Sequence, residues 1–204
     1  MLLQIHPENP GQRQITRVVE TLSSGGIVIY PTDTVYGMGC DIKHGKAIEK
    51  IARIKGVSPK NPSLSFIFAD ISQISEYTRP IDNTIFKLLK RNLPGPFTFI
   101  LNANNLVPKL FKGQKKTVGI RIPDCTIIRE VARELGRPIL STSIHDEDEI
   151  LEYTTDPELI HEKYQKLADI VINGGFGKNE ASTIVDCTGD EPQILRQGLG
   201  MLEY

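Results

Sequence analysis

The stretch from Gly25 to Gly39 constrains the fold of this chain more than any other segment. Gly25 and Gly26 stop a helical pattern, and the apolar or aromatic residues 27–30 then predict a short buried strand. That strand runs directly into residues 31–36, which are rich in hydroxyl groups. Because ligands of open α/β sheets bind beyond the carboxyl ends of strands, this loop is a candidate binding segment. A tight turn whose side chains cap their own backbone explains the same pattern.

Length and composition predict one folded domain. The chain has 204 residues, of which 39% are hydrophobic and 24% are charged, so it can build a core and does not have a disordered composition. This length suggests one domain, or two small ones at most, and because no clear linker divides the sequence we expect a single domain spanning residues 1–204. The net charge of −1 argues against nucleic-acid binding by charge alone, although it leaves room for a local basic surface.

Several classes of protein are disfavoured by what the sequence lacks. No run of about 18 apolar residues is present, so we expect no membrane span, and residues 1–6 do not resemble a secretory signal. Three widely spaced cysteines fit a reducing cytoplasm. No pair of histidines has metal-ligand spacing. The acidic run 146–149 is either a solvated loop or part of a divalent-cation site.

The apolar pattern mixes helices and strands without strict alternation, which favours a large mixed α/β sheet with helices packed against it. Helices are predicted between residues 11 and 25 and at 46–55, 83–91, 126–135 and 157–167. Strands are predicted at 27–30, 64–68, 97–101, 117–122, 138–142, 170–172, 183–185 and 193–195.

Common catalytic and nucleotide-binding motifs are missing. The segment 174–178, Gly-Gly-Phe-Gly-Lys, lacks both the first glycine and the final serine or threonine of a phosphate-binding loop. No spacing indicates a nucleophile paired with a histidine. What remains is a set of hydroxyl-bearing and basic residues near strand ends: Thr34, Lys55, Thr117, Arg121, Ser141, Ser143, Ser182 and Arg196.

Arg121 can be interpreted in two ways. It lies between Ile120 and Ile122, so strand alternation places its side chain on the face opposite theirs. That face is either solvent, or a cleft in which the planar guanidinium holds a carboxylate. Lys109, Lys112, Lys115 and Lys116 precede this strand and form either a soluble loop or the rim of an anionic site.

Eight ordered sequence blocks resemble the YrdC family, whose members make threonylcarbamoyl-adenylate from L-threonine, bicarbonate and ATP. Within the family, the sequence is most similar to the YciO branch. The resemblance runs from about residue 12 to residue 199 and implies a twisted mixed sheet around a concave basic cavity. The blocks lie at 31–37, 54–55, 61–62, 93–98, 118–123, 141–143, 182–186 and 195–198.

The resemblance also implies roles for individual residues. On the threonine side, Thr34 contacts the amino acid and Arg121 holds its carboxylate; the other two positions of this side are Ser141 and Ser182. On the nucleotide side, Lys55 faces the phosphates. The other positions of the nucleotide side are Asn61, Thr117, Ser143 and Arg196.

The implied chemistry needs no nucleophile from the protein. A threonine carbamate attacks the α-phosphorus of ATP and expels pyrophosphate, so cations, hydroxyl groups and Mg²⁺ suffice to align the two anions and stabilise the phosphoryl charge. Three positions depart from the family pattern. Val57 replaces a phosphate-side arginine, His145 replaces an asparagine, and Phe66 replaces a substrate-side histidine.

Two functions follow from the resemblance. The first is a nucleotidyltransferase that makes threonylcarbamoyl-adenylate, or a related carbamoyl-adenylate, for tRNA modification. Its activity is expected to be weak because phosphate contacts are lost. The alternative is a module that binds double-stranded RNA or tRNA and carries a degenerate active site.

Overall fold

A computed structural model describes residues 1–56, 64–108, 116–144 and 152–204 of the chain. Strands in these residues form one sheet that contains both parallel and antiparallel pairs, which confirms the predicted mixed α/β fold. The strands are β1 (Leu2–Gln4), β2 (Val28–Tyr30), β3 (Gly37–Asp41), β4 (Ser65–Ile67), β5 (Phe97–Asn102), β6 (Thr117–Arg121), β7 (Ile139–Ser143), β8 (Ile170–Asn173), β9 (Thr183–Asp186) and β10 (Gln193–Arg196). Their spatial order is β1-β8-β2-β3-β7-β4-β6-β5-β9-β10.

The helices agree closely with the apolar periodicity of the sequence. They are α1 (Gln12–Ser23), α2 (Gly45–Ile54), α3 (Asn83–Asn92), α4 (Thr126–Leu135), α5 (Glu152–Thr155) and α6 (Pro157–Tyr164), with a 3₁₀ helix at Ile71–Glu76. Local signals set several of their ends. Asp82 caps α3 by accepting hydrogen bonds from the backbone N–H groups of Thr84 and Ile85. Gly136 ends α4 with a φ of 69°, a conformation that glycine adopts at little cost.

Helices cover both faces of the sheet, but one face is covered only in part. On one face, α2, α3 and α6 pack against apolar side chains of the central strands, including Met38, Phe66 and Ile120. On the other face, α1 and α4 pack over β2, β8, the C-terminal end of β4 and the N-terminal end of β7. The rest of that second face, towards β5 and β9, keeps half-buried side chains such as Ile100 and Ile184. This part of the second face is therefore partly accessible to solvent.

Strand β3 is the main element that the sequence did not predict. Its sequence, Gly-Met-Gly-Cys-Asp, contains two glycines and has a poor β-propensity. It is a strand because it pairs antiparallel with β2 on one side and with β7 on the other. Pairing on both edges therefore overrides the local preference of this segment.

None of the helices in the described part of the chain has the length and hydropathy that a membrane span requires. Cys40 and Cys187 are buried and Cys125 is half-buried, all three as free thiols.

Candidate active site

The partly covered face of the sheet carries unusually small side chains at its centre. Residues paired across neighbouring strands point to the same face, and the register pairs Gly39 with Ser141, Ser141 with Ser65, and Ser65 with Gly119. We call this set the small-residue face: Gly37, Gly39, Ser65, Gly119, Ser141 and Ser143. Glycine in a strand often marks a place where another group approaches the backbone closely, and at Gly37 and Gly39 that group is the side chain of Tyr30.

Arg121 ends β6 on this same face and is 7% exposed. Its Nη2 donates a hydrogen bond to Thr34 Oγ1 at 2.9 Å and lies 3.3 Å from Asp33 Oδ1. The backbone N–H of Asp124 donates to Asp33 Oδ2 at 3.0 Å. Asp33, Thr34, Arg121 and Asp124 form what we call the Arg121 cluster. The solvent-facing interpretation of Arg121 is therefore wrong, and the guanidinium is buried in a polar cluster.

Sheet twist explains how the two halves of the Arg121 cluster meet. The loop after β2 and the end of β6 lie at opposite ends of the sheet along the strand direction, because β2 and β6 run antiparallel. Neighbouring strands are rotated by about 20–25°, so the four steps from β2 to β6 add up to roughly 90°. Two diagonal corners of the sheet then curl towards the same face, and the hydrogen bonds of the Arg121 cluster join them.

The structure confirms the turn interpretation of the loop after β2 for Thr32, and binding of a ligand by Thr34 remains a prediction. Thr32 stabilises the turn itself: its Oγ1 donates to Val35 O at 2.7 Å and accepts from the backbone N–H of Thr34 at 3.0 Å. Thr34 instead directs its hydroxyl at Arg121 and is fully buried. The turn residue therefore holds the binding candidate in place.

One donor of Arg121 has no partner. Among the described residues, one buried side-chain nitrogen or oxygen lacks a hydrogen-bond partner, and it is the Nε of Arg121. Leaving a buried donor unsatisfied costs about 1–3 kcal/mol, and more for a charged group. Buried polar groups are nearly always paired, so this nitrogen indicates a place for an acceptor oxygen supplied by a ligand.

The electrostatic environment of Arg121 also favours an anion. Burial lowers the pKa of the Arg121 guanidinium, and the nearby charge of Arg196 lowers it further, while Asp33 opposes both effects. Burial raises the pKa of Asp33, and the charge of Arg121 opposes this effect only in part. Two arginines within electrostatic reach of each other repel, and an anion bound between them relieves that repulsion.

Ser182 and Arg196 meet at the far side of this face. The guanidinium of Arg196 donates to the carbonyl of Ser182, with Nη2 at 2.7 Å and Nε at 3.3 Å. The Ser182 hydroxyl lies 2.8 Å from Thr98 Oγ1, and both side chains are buried. Arg196, expected on the nucleotide side, is thus in direct contact with a residue expected on the threonine side. Their assignment to the two substrate halves remains a prediction.

Of the other predicted nucleotide residues, Ser143 and Thr117 lie at strand ends of the small-residue face, whereas Lys55 follows α2, which packs against the opposite face of the sheet. Ser143 pairs with Gly37 at the end of β7, and Thr117 begins β6, about 13 Å along the strand from Arg121. Both are half-buried. Lys55 ends α2, where its backbone N–H donates to Ile51 O at 3.0 Å. Their contact with a nucleotide remains a prediction.

Several sequence predictions fall outside the described residues. They concern Asn61, Lys109, Lys112, Lys115, the acidic run 146–149, and the departures at Val57 and His145. Of the four lysines, Lys116 is described, and it is exposed with a φ of 48°.

The structure changes the interpretation of one residue and adds others. Phe66 points into the apolar core on the opposite face of the sheet, where it packs edge-on against Tyr77, so its departure from the family pattern leaves the small-residue face unchanged. The sequence reasoning missed Tyr30, Ser65 and Thr98, which lie on that face. Their signal was the period-two alternation of each strand relative to its apolar residues.

The fold and the site together define an α/β protein whose mixed sheet carries a buried arginine and several small side chains on one partly covered face. A family model named for Sua5, YciO and YrdC, and described as telomere recombination, matches residues 20–198. The chain therefore belongs to the Sua5/YciO/YrdC family.

Relatives fall into two groups. The uncharacterised protein YciO of Escherichia coli (strain K12) is 39% identical over 198 residues, which are 96% of this chain and 94% of the relative. The crystal structure of E. coli YciO matches with a TM-score of 0.91 and covers 98% of this chain and 97% of its own. The threonylcarbamoyl-AMP synthase of Bacillus subtilis (strain 168) is 35% identical over 187 residues, 91% of this chain but 53% of the relative.

A third relative carries a ligand. The structure of P. abyssi Sua5 complexed with L-threonine matches with a TM-score of 0.86 at 27% identity, covering 97% of this chain and 57% of that chain. The B. subtilis and P. abyssi proteins are thus longer than this chain, which spans 53% and 57% of their lengths.

Proposed function

We propose that this protein is a nucleotidyltransferase that joins a threonine carbamate to the adenylate of ATP, and that it does so weakly. The products are threonylcarbamoyl-adenylate, or a related carbamoyl-adenylate, and pyrophosphate. Relatives named threonylcarbamoyl-AMP synthase support the reaction class. The L-threonine complex of Sua5 supports the amino-acid substrate.

The observation that carries the proposal is the unpartnered Nε of Arg121 beside Thr34. A guanidinium binds a carboxylate best with two parallel N–H groups. In Arg121, Nη2 is engaged with Thr34 and Asp33 while the buried Nε is left for another acceptor. A carboxylate oxygen of the amino acid supplies the acceptor that this nitrogen lacks.

The reaction balances without a protein nucleophile. The amine of threonine reacts with bicarbonate to give a carbamate and water. A carbamate oxygen then attacks the α-phosphorus of ATP, the bond from that phosphorus to the β-phosphate oxygen breaks, and pyrophosphate leaves. The tasks of the protein are to align two anions and to stabilise phosphoryl charge. Arg121 and Arg196 are the described residues that would supply positive charge on this face.

ATP enters as a substrate, with Mg²⁺ bound to its phosphates. Among the described residues, no group of three or more histidine, cysteine or acidic side chains is arranged to hold a metal ion, so no protein ligand is assigned to Mg²⁺. Lys55, Ser143, Thr117 and Asn61 are the proposed nucleotide contacts. Weak activity is proposed because the arginine and asparagine of the family pattern are replaced by Val57 and His145. Each lost charged contact is worth about 1.5–3 kcal/mol, which is roughly tenfold to a hundredfold in rate.

The test is an assay of pyrophosphate release from ATP at high enzyme concentration, with L-threonine and bicarbonate each omitted in turn. Release is expected only when both are present. Arg121→Lys keeps the positive charge but loses the two parallel N–H groups of the guanidinium, so it should lower kcat/KM by at least tenfold. Arg133→Ala, at an exposed pair with Glu130 on α4, is the matched control and should leave kcat/KM unchanged. Release that does not depend on threonine would contradict the proposal.

Binding of tRNA or double-stranded RNA is the second candidate, and it rests on the family resemblance. Three of the four lysines that would extend such a surface lie outside the described residues. Binding that falls steeply with salt would support this candidate.

A further inference from the structure

Tyr30 lies on the small-residue face and is held in a slot made by two glycines. The Tyr30 hydroxyl donates a hydrogen bond to Ser141 Oγ at 2.7 Å, and the two residues are 0% and 1% exposed. The ring crosses β3 where that strand has no side chains. A Cβ on Gly37 would lie 2.7 Å from the ring carbon Cε2, and a Cβ on Gly39 would lie 2.6 Å from the hydroxyl oxygen. The two glycines of β3 therefore make room for this tyrosine.

The hydrogen bond from Tyr30 fixes what Ser141 can do. A serine hydroxyl has one hydrogen to donate. Because Ser141 Oγ accepts from Tyr30, its own hydrogen is left for another acceptor, and the described residues supply none. Burial raises the pKa of Tyr30 well above its ordinary value, so the phenol stays protonated and remains the donor.

Ser141 and Arg121 lie on the same face of the sheet, in neighbouring rows and two strands apart. Burial dominates the pKa of Tyr30 and raises it, while the hydrogen bond with Ser141 and the charge of Arg121 act in the opposite direction. The site therefore contains two donors without an acceptor, the Ser141 hydroxyl and the buried Nε of Arg121. Two unpaired donors on one face of the sheet fit an anionic ligand and disfavour an ammonium group.

We propose that Tyr30 is a positioning residue that makes the Ser141 hydroxyl a donor to the carboxylate of the amino-acid substrate, beside Arg121. The inference rests on the proposed function, since it assumes that an amino acid binds at this face. It predicts that the Tyr30 hydroxyl acts on the ligand only through Ser141. Losing it frees the Ser141 hydroxyl to rotate and to donate elsewhere.

The experiment is a double-mutant cycle on the full chain, with the Kd for L-threonine measured by calorimetry at pH 7. The proteins are the wild type, Tyr30→Phe, Ser141→Ala and the double variant. Tyr77→Phe is the matched control, because Tyr77 packs against Phe66 and Phe68 on the other side of the sheet. The free energy of unfolding of each variant is measured in urea.

Tyr30→Phe is expected to raise the Kd for L-threonine about three- to tenfold, in keeping with the loss of one hydrogen bond. In the Ser141→Ala background the same change should have no further effect, and Tyr77→Phe should bind like the wild type. An unchanged Kd for Tyr30→Phe, or losses that multiply in the double variant, would overturn the inference alone. A wild type that does not bind L-threonine would overturn the proposed function and this inference together.

Discussion

Two aspartates of this fold are buried beside arginines, and the two pairs differ in which groups remain unpaired. Asp41 is fully buried, and its two oxygens accept from the Nε of Arg137 at 2.9 and 3.0 Å and from the backbone N–H of Lys43 at 3.0 Å. In the Arg121 cluster, by contrast, a buried donor is left over. A satisfied pair holds the fold together, whereas an unsatisfied one indicates a binding site.

The Asp41–Arg137 pair gives a prediction about pH. Burial alone would raise the pKa of Asp41, but the hydrogen bonds from Arg137 and Lys43 outweigh burial and lower it. A carboxyl with a lowered pKa in the folded state stabilises the protein above its unfolded pKa of about 3.9, and that stability is lost as the pH falls below this value. Asp41→Asn should therefore lower the free energy of unfolding by about 1.5–3 kcal/mol at pH 7.

Urea unfolding from pH 7 to pH 3 checks this prediction. The difference between the wild type and Asp41→Asn should shrink below about pH 4. Glu130→Gln, which removes the exposed pair with Arg133, should change stability by less than about 1 kcal/mol. A difference for Asp41→Asn that stays constant down to pH 3 would show that the charge of Asp41 does not contribute.

At the scale of elements, β3 has glycines where the side chain of Tyr30, from the neighbouring strand β2, lies against its backbone. Its glycines leave the ring of Tyr30 in contact with the backbone, and its pairing with β2 and β7 places Ser141 at the centre of the small-residue face. Larger residues at Gly37 and Gly39 would raise the β-propensity of this strand, but they would clash with the side chain of Tyr30. The low β-propensity of β3 is therefore the consequence of making room for Tyr30.

Gly39→Ala tests this explanation. The added methyl group would meet the backbone carbonyl of Leu140 and the hydroxyl of Tyr30, so we expect a loss of about 1–3 kcal/mol in the free energy of unfolding. Gly45→Ala, at the start of α2 with nothing within 4 Å of the new methyl group, should be neutral or stabilising by up to about 1 kcal/mol. Urea denaturation measures both, and equal effects of the two changes would refute the steric explanation.

The sequence predicted an element well where the conformation depends on the apolar periodicity of that element alone. The apolar periodicity predicted α4 at its observed bounds, and β5 and β6 to within a residue. It failed at β3, where pairing on two edges decides the conformation. For Arg121, alternation identified the correct face but left open whether that face is solvent or a cleft. The burial of Arg121 and its contacts with Asp33 and Thr34, which come from a distant loop, settle that question.

At the scale of the whole molecule, the candidate site draws on segments that are distant in the sequence. Thr34 and Arg121 are 87 positions apart and are joined by a hydrogen bond, and Arg196 belongs to the last strand of the sheet. A ligand that contacts all three residues would bind the folded state and not the unfolded state. It should therefore stabilise the whole sheet rather than one element.

Thermal unfolding tests this expectation together with the predicted single domain. The chain should unfold in one transition, and L-threonine with ATP should raise its Tm by more than the sum of their separate effects. D-threonine, which has the same composition, is the control and should add no such excess. Two resolved transitions would contradict a single domain, and strictly additive shifts would contradict a shared site.

The contact between Thr34 and Arg121, which joins two distant parts of the sheet, also has a consequence for how the protein folds during synthesis. Since Thr34 is translated long before Arg121 and Arg196, the growing polypeptide on the ribosome lacks part of the candidate site for most of its elongation. Contacts between such remote positions form late and slowly, so the candidate site is completed in a final step, after β10 has emerged and paired with β9.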